Sequence, residues 1–485
     1  MSKQRVSRPL RRRILIGAAI TAATVVTVGA ALVWYFNPER QKASIEAAVS
    51  KTLGHPFTIR GKASLRLLPR VRLILRDIHL TDGTIELFSA AAFSGSPRVI
   101  PFLLGGPVTF HQARLEHPTM RFERAGLPLP AADTMREAAA EPAQPRGALE
   151  ALFVRQAEIT YVGGPAGAVT IEGADFDLEH VSWASRGDDP SAIVGSLSFR
   201  GLLAVKTLRL GTLDITGLTS RLTADSGLVQ LDSTVMTLYG GETRGKATLD
   251  MRGKSPRIHV VQSAPKLDLA LAFPVAIARG FAGASLDLEG TGANQLEFAT
   301  TAKGSISIRS AQVAITALDI DGLIHDYNKS QNFSIIDFGS LFFAGPFAPL
   351  VTRGATLAQL RFLGNMGKGK GEIRRMVSDW KVENGFARTV DVAFATPENM
   401  VAFRGNIDLR KGTFDDFAVA TIDHRGCAQV RQKITGLVGH PDAQGPVSSF
   451  IGPFKSLFKK VTKVFEPNRC DHFYSGSVLK PAVPE

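Results

Sequence analysis

SLRLLPRVRLILR, residues 64–76, decides the fold. Leu65 and Leu67, then Val71, Leu73 and Leu75, alternate with Arg66, Arg70, Arg72 and Arg76. Successive side chains of an extended strand point to opposite faces, so a period of two builds one apolar and one cationic face. The period begins at Phe57 and recurs at short intervals: Val108 to Leu115, Leu152 to Tyr161, Val169 to Leu178, Ile193 to Phe199, Leu208 to Leu222 and Leu228 to Leu238. Shorter runs follow at Lys246 to Met251, Arg257 to Val261, Ser285 to Leu288, Ser305 to Ile308 and Met400 to Leu409. Gly240-Gly241, Gly245 and Gly253 punctuate them. The chain is therefore mainly β with minor α, mostly antiparallel strands joined by tight turns.

Three segments break the rhythm. Leu127 to Arg146 holds four prolines and six alanines with few large apolar groups, so it reads as a flexible loop, 127–146, with little surface to bury. Leu267 to Phe281 and Leu318 to Leu363 have helix-length apolar patterns, with Pro274 limiting the first. In the second, Ile335, Phe338, Leu341, Phe342 and Phe347 surround Gly345-Pro346, as a buried helix pair or as the lining of a groove.

Upstream of the strands, Pro38 to Leu53 reads as a short helix ended by Gly54, with Ile45, Val49 and Leu53 on one face. Before it, Ile14 to Phe36 is a run of 23 residues without charge. As a helix it rises about 34 Å, enough to cross a hydrocarbon layer of roughly 30 Å. Residues 1–13 carry Lys3, Arg5, Arg8, Arg11, Arg12 and Arg13 and no acid, so this tail is expected on the cytoplasmic side. A cleaved signal peptide is the alternative, but its apolar region usually runs only about 7 to 15 residues. The expected order is a cytoplasmic basic tail (1–13), a transmembrane helix (14–36), an exported β domain (37–445) and a C-terminal segment (446–485).

Six of the 57 Lys and Arg precede the anchor, leaving 51 against 44 acids in the exported part. This small excess comes without a dense basic run or an RNA-binding motif, so nucleic acid is not an expected partner. Only Cys427 and Cys470 are present. An even pair in an oxidising compartment favours a disulfide over two buried thiols or a metal pair. Between them, Val447 to Phe465 places Phe450, Phe454, Leu457, Phe458, Val461, Val464 and Phe465 on one helical stripe and Lys455, Lys459, Lys460 and Lys463 on the other. Such an amphipathic helix either lies on an anionic membrane or docks its Phe face on the end of the sheet with its lysines solvated.

Catalytic signatures are missing. The ten histidines are dispersed, and no carboxylate or Cys pattern completes a metal site beside His111 and His117. Gly364 to Gly371 matches the start of a phosphate loop but has Gly371 where Ser or Thr belongs. Asp319-Ile320-Asp321-Gly322 lacks the rest of a calcium loop, there is no GxSxG, and Asp188-Asp189 and Asp415-Asp416 sit beside turn signals. No catalytic residue, cofactor or metal is expected, and the chain reads as non-enzymatic.

The order of anchor, short helix, residues 54–69 (GHPFTIRGKASLRLLP) and Leu73 to Ile78 resembles the N-terminal signature of the AsmA family. Thr237 to Gly245 (TLYGGETRG) is similar to its strand-turn-strand element. Trp380 to Gly385, Phe394 to Pro397 and Phe403 to Leu409 are similar to its closing hairpins. The resemblance implies a single-pass protein of the bacterial inner membrane with its body in the periplasm. It also implies a long curved antiparallel β-sheet groove of the bridge-like lipid transfer type, whose apolar interior takes phospholipid acyl chains for outer-membrane assembly. The alternative is a structural or regulatory scaffold for outer-membrane biogenesis, with envelope-assembly proteins as partners and no lipid carriage. An envelope hydrolase ranks last.

Overall fold

The computed structural model describes residues 38–53, 55–66, 71–83, 85–97, 110–123, 147–164, 167–183, 196–210, 213–272, 278–292, 295–316, 319–322, 324–325, 369–438, 440–444 and 470–479. The anchor at 14–36, the loop at 127–146, most of Leu318 to Leu363 and the amphipathic stripe at 447–465 lie outside the described residues. Among the described residues no helix is long and apolar enough to cross a membrane.

Helix α1 (Lys42–Leu53) leads into β1 (Phe57–Ile59), β2 (Ala63–Arg66), β3 (Arg72–Asp82), β4 (Ile85–Pro97) and β5 (Phe110–Glu123). Then come β6 (Gly147–Gly164), β7 (Gly167–Trp183), β8 (Ser198–Leu210), β9 (Leu213–Asp225), β10 (Leu228–Leu238), β11 (Gly241–Asp250) and β12 (Arg257–Asp268). A four-residue helix α2 (Leu269–Ala272) precedes β13 (Ala278–Thr291), and α3 (Gln295–Thr301) precedes β14 (Lys303–Ser310) and β15 (Val313–Ile315). The described chain closes with β16 (Gly371–Ile373), β17 (Arg375–Glu383), β18 (Phe386–Ala395), β19 (Met400–Asp408), β20 (Thr413–Ile422), β21 (Ala428–Leu437) and β22 (His440–Gln444).

From β3 to β14 each strand pairs with the next in sequence, and from β17 to β22 likewise, with β14 joined to β17. β15 and β16 continue the β14 and β17 ladders past a break. The product is one long, open, curved sheet. Every one of these pairings is antiparallel except β5 with β6, which run parallel.

Tight turns are built where the sequence supplies residues that tolerate positive φ. Ser226-Gly227, Tyr239-Gly240 and Asn384-Gly385 have φ of 46° and 90°, 46° and 69°, and 53° and 80°. Two successive positive φ angles match the right-handed twist of the flanking strands and close two-residue hairpins. Three other turns use an Asp-x-Arg clasp. In Asp250/Arg252, Asp408/Arg410 and Asp423/Arg425 the Arg backbone N–H donates to the Asp Oδ1, at 3.1, 3.0 and 2.9 Å, and the guanidinium folds back onto the same carboxylate.

Two sequence expectations are corrected. Leu208 to Leu222 is not one strand: β8 ends at Leu210 and β9 starts at Leu213, with Leu210 opposite Leu213. The apolar phase shifts across Gly211-Thr212, from Leu208 and Leu210 to Leu213 and Ile215, and that shift is the mark of the reversal. Leu267 to Phe281 is not a helix of that length. Leu267 pairs with Ala282 and Asp268 with Phe281, and between these pairs the described residues are α2 and the first three residues of β13, Ala278 to Gly280. Short apolar runs fit both periods, and here ladder pairing decided.

The first helix lies as expected, with Ile45 and Val49 packed on Phe57, Ile59, Leu75 and Ile78. It also covers the backbone donors of the first strands. Glu46 Oε1 accepts from the Ile59 N–H at 2.7 Å, Ser50 Oγ from the Phe57 N–H at 2.8 Å and Glu39 Oε2 from the Ala63 N–H at 2.7 Å. An edge covered in this way is not free to pair with another chain.

Candidate functional site

In a ladder, residues directly opposite one another project to the same face. Leu75 stands opposite Phe93, Phe93 opposite Leu115, Leu115 beside Val154, Val154 opposite Phe176 and Phe176 opposite Leu203. Two residues along β8, Gly201 faces Leu222, and the row goes on through Leu231, Ala247, Val260 and Leu288. One apolar row thus crosses eleven strands on a single face. Phe93, Leu115, Val154, Phe176, Leu203, Leu231 and Val260 along it are only half-buried. The large side chains of β6 to β10 gather into two clusters that share Phe176 and Leu203.

The opposite face is polar. Arg155 pairs with Asp177 at 2.5 Å, His259 with Asp287 at 2.9 Å, and Arg209 with Glu172. Such exposed pairs contribute little stability, but they keep this face wet. An open depression of about 500 Å³ lies around Arg155, Asp177, Leu202 and Arg221 on this outer side.

A line of backbone bulges curves the sheet. Asp77, His117, Gln156, Gly173, Gly217 and Ser233, on β3, β5, β6, β7, β9 and β10, have φ between 48° and 64°. Each sits where ladder pairing is interrupted, and at Gln156, Gly173, Gly217 and Ser233 the register also shifts. The Gln156 N–H, freed from the ladder, donates to Asp175 Oδ1 at 2.7 Å. A bulge bends its strand and increases local twist, and aligned bulges bend the whole sheet along one line. The bulge also resets inward parity, so inward positions lie three apart across it: Leu75 and Ile78, Leu115 and Pro118, Val154 and Ala157, Val205 and Leu208, Ile215 and Leu218. That spacing of three inside a strand is visible in the sequence and marks the bend, although alternation alone does not call attention to it.

Beyond β13 the same face is filled. Leu286 faces Ile306 and Ile306 faces Trp380. Trp380, Phe394, Phe403, Phe414, Phe417 and Val419 form one buried cluster, with Trp380 at 1% and Phe417 at 0% exposure. The opposite face of β17 to β21 is buried too, by small residues such as Ala393, Ala402, Ala418 and Ala420 under Phe473, Tyr474 and Val478.

Cys427 and Cys470 are disulfide-bonded, with Cα atoms 5.3 Å apart. The bond fixes residues 470–479 over that small-residue face. Tyr474 OH donates to Asp391 Oδ1 at 2.5 Å, and the Ser477 N–H to Asp391 Oδ2 at 2.9 Å. Burial first, and then the neighbouring Asp391 carboxylate, push the Tyr474 phenol well above the usual tyrosine range. Phe450, Phe454, Leu457, Phe458, Val461 and Phe465 lie outside the described residues.

Titratable groups with altered affinity for protons belong to turns and ladders. The Arg410 guanidinium, despite burial, holds Asp408 below the usual carboxylate range, and Arg252 does the same to Asp250. Burial works to lower His79, yet hydrogen bonds with Glu86 and Asp77 prevail and raise it. His111 pairs with Glu150, whereas His117 sits in the bulge line. Asp319 Oδ1 accepts from the Gly322 N–H at 3.0 Å. Among the described residues no three His, Cys, Asp or Glu stand together as metal ligands.

Sequence reasoning did not single out Phe176, Leu203 or Leu231, because the contacts that gather them are set by register. It also passed over the Trp380 to Phe417 cluster and the Phe473-Tyr474 strap; the apolar residues following Cys470 were the available signal for the strap. Residues 200–391 match the model of the AsmA family. No curated protein and no solved structure matches the chain.

Proposed function

We propose that this chain, placed in the AsmA family by its residues 200–391, is a non-enzymatic periplasmic protein that binds phospholipid acyl chains and carries them for outer-membrane assembly, held at the inner membrane by Ile14 to Phe36. One observation carries the reading: the half-covered apolar row from Phe93 through Phe176 and Leu203 to Val260, on the inner face of a curved sheet with a charged exterior. Covering each methylene recovers about 0.8 kcal/mol without directional bonds. A bilayer interior offers the same, so exchange between bilayer and trough is nearly isoenergetic, which suits a carrier. Headgroups stay in water at the rim.

Mass spectrometry of lipids co-purifying with the detergent-extracted full chain tests this. Phospholipid is expected with the native protein and is lost in Leu203→Asp. A lipid-free native protein would sink the reading.

The filled core from β13 onward favours a second reading for that end, a scaffold that holds envelope-assembly proteins. Crosslinking to a protein partner that survives Leu203→Asp would support it.

A further inference from the structure

We infer that the trough is blind: its lipid-accessible floor runs from β4 to β12 and ends at a protein wall at β13, so acyl chains enter and leave by the open side and do not pass end to end. The inference rests on the lipid-binding reading and specifies where on the sheet it applies.

The face is continuous and its covering is not. Leu231, Ala247, Val260 and Leu288 stand in one cross-strand row, and Leu286, Ile306 and Trp380 carry the same face onward. Leu231, Val260 and Leu286 are half-buried and Leu222 is 7% exposed, whereas Leu288, Ile306 and Trp380, in successive strands of the sheet, are 5%, 6% and 1% exposed. Coverage is completed within a few strands, at the place where two short helices fold over the inner face.

Those helices form the wall. Phe298 of α3 lies against Gly290 of β13, so close that a Cβ on Gly290 would meet its ring at 2.6 Å. Leu269 of α2 and Ala299 of α3 join the same buried cluster as Leu288, Trp380 and Phe417. Behind them the sheet curls until side chains from β17 and β20 touch. A core at interior packing density has no space for an added chain. Eight strand steps at about 4.8 Å leave a floor of about 38 Å before the wall.

The first test uses the native chain. The full chain in detergent micelles is mixed with phosphatidylethanolamine carrying a diazirine near the end of one acyl chain, irradiated and mapped by peptide mass spectrometry. Adducts are expected on peptides containing Phe93, Phe176, Leu203 and Leu231, with loss of signal at peptides containing Trp380, Phe403 and Phe417. Adducts along both sets overturn the wall while leaving lipid binding intact. No adduct on either set, and none from the second probe at position 203, overturns lipid binding and the wall together. Photoreactive p-benzoylphenylalanine at position 203, with natural phospholipid, gives a second measurement: a lipid adduct there restores the reading if the tagged lipid alone is excluded.

Discussion

The rings of Trp380 and Phe417 stack 7° from parallel with centroids 6.1 Å apart, although their strands, β17 and β20, are three steps apart in the sheet. Three steps across a flat sheet are about 14 Å. The contact therefore measures how tightly this end is rolled. Phe417 also meets Phe414 at 5.0 Å. Truncating Phe417 to Ala leaves a cavity in a closed core, and the expected loss is about 3–5 kcal/mol. Urea titration followed by Trp fluorescence measures it; a loss below about 1 kcal/mol would mean that the core is not closed.

Leu203→Asp separates stability from binding. Leu203 is half-buried at the edge of two apolar clusters, so a carboxylate there keeps access to water and the expected destabilisation is about 1 kcal/mol. Co-purifying phospholipid is expected to disappear while the thermal midpoint stays close to that of the native chain. Retained lipid would move the acyl-chain site elsewhere.

Cys470→Ser releases the strap. The closed loop spans a sequence separation of 43, for which the chain-entropy model gives about 4 kcal/mol. Melting with and without reductant should show a lower midpoint on reduction for the native chain and no response for the variant. Tyr474→Phe removes the hydrogen bond to Asp391 and the one its hydroxyl accepts from the Val478 N–H at 3.0 Å, with an expected cost of about 1–3 kcal/mol.

Acid weakens the Asp-x-Arg turns. Arg410, the largest influence on Asp408, lowers its folded-state pKa below the ordinary 3.8. A depressed carboxylate contributes stability that is fully present above the unfolded value and is lost as pH falls toward the folded one. The expected decline therefore lies below about pH 4. Asp408→Asn should be less stable at neutral pH and lose part of that acid dependence, as read by urea midpoints across the range.

His79 gives the opposite sign. Its folded-state pKa is raised above 6.5 by Glu86 and Asp77, so its contribution is full below the unfolded value and is lost as pH rises through the folded one. His79→Gln should remove a decline in stability above neutrality. An unchanged profile would mean that neither carboxylate holds the proton.

The sequence by itself determined the local structure. Alternation in residues 64–76 and in the runs that follow sets strands with one apolar face, Gly240-Gly241 marks a reversal, and the apolar face of Pro38 to Leu53 sets the first helix. These signals are legible because each depends on neighbours within a few positions. The pairing of the two cysteines was legible for a different reason, since no other partner exists. Only the tertiary structure decided that β5 and β6 run parallel, that six residues on different strands align into one bend, and that Leu267 to Phe281 belongs to a strand pair. It also decided where the apolar face is open at Leu203 and where it is sealed at Trp380. Both residues occupy inward positions of alternating strands, and the period cannot tell them apart. The difference arises from curvature, which brings residues far apart in sequence over one another and covers one side chain while leaving the other half-exposed.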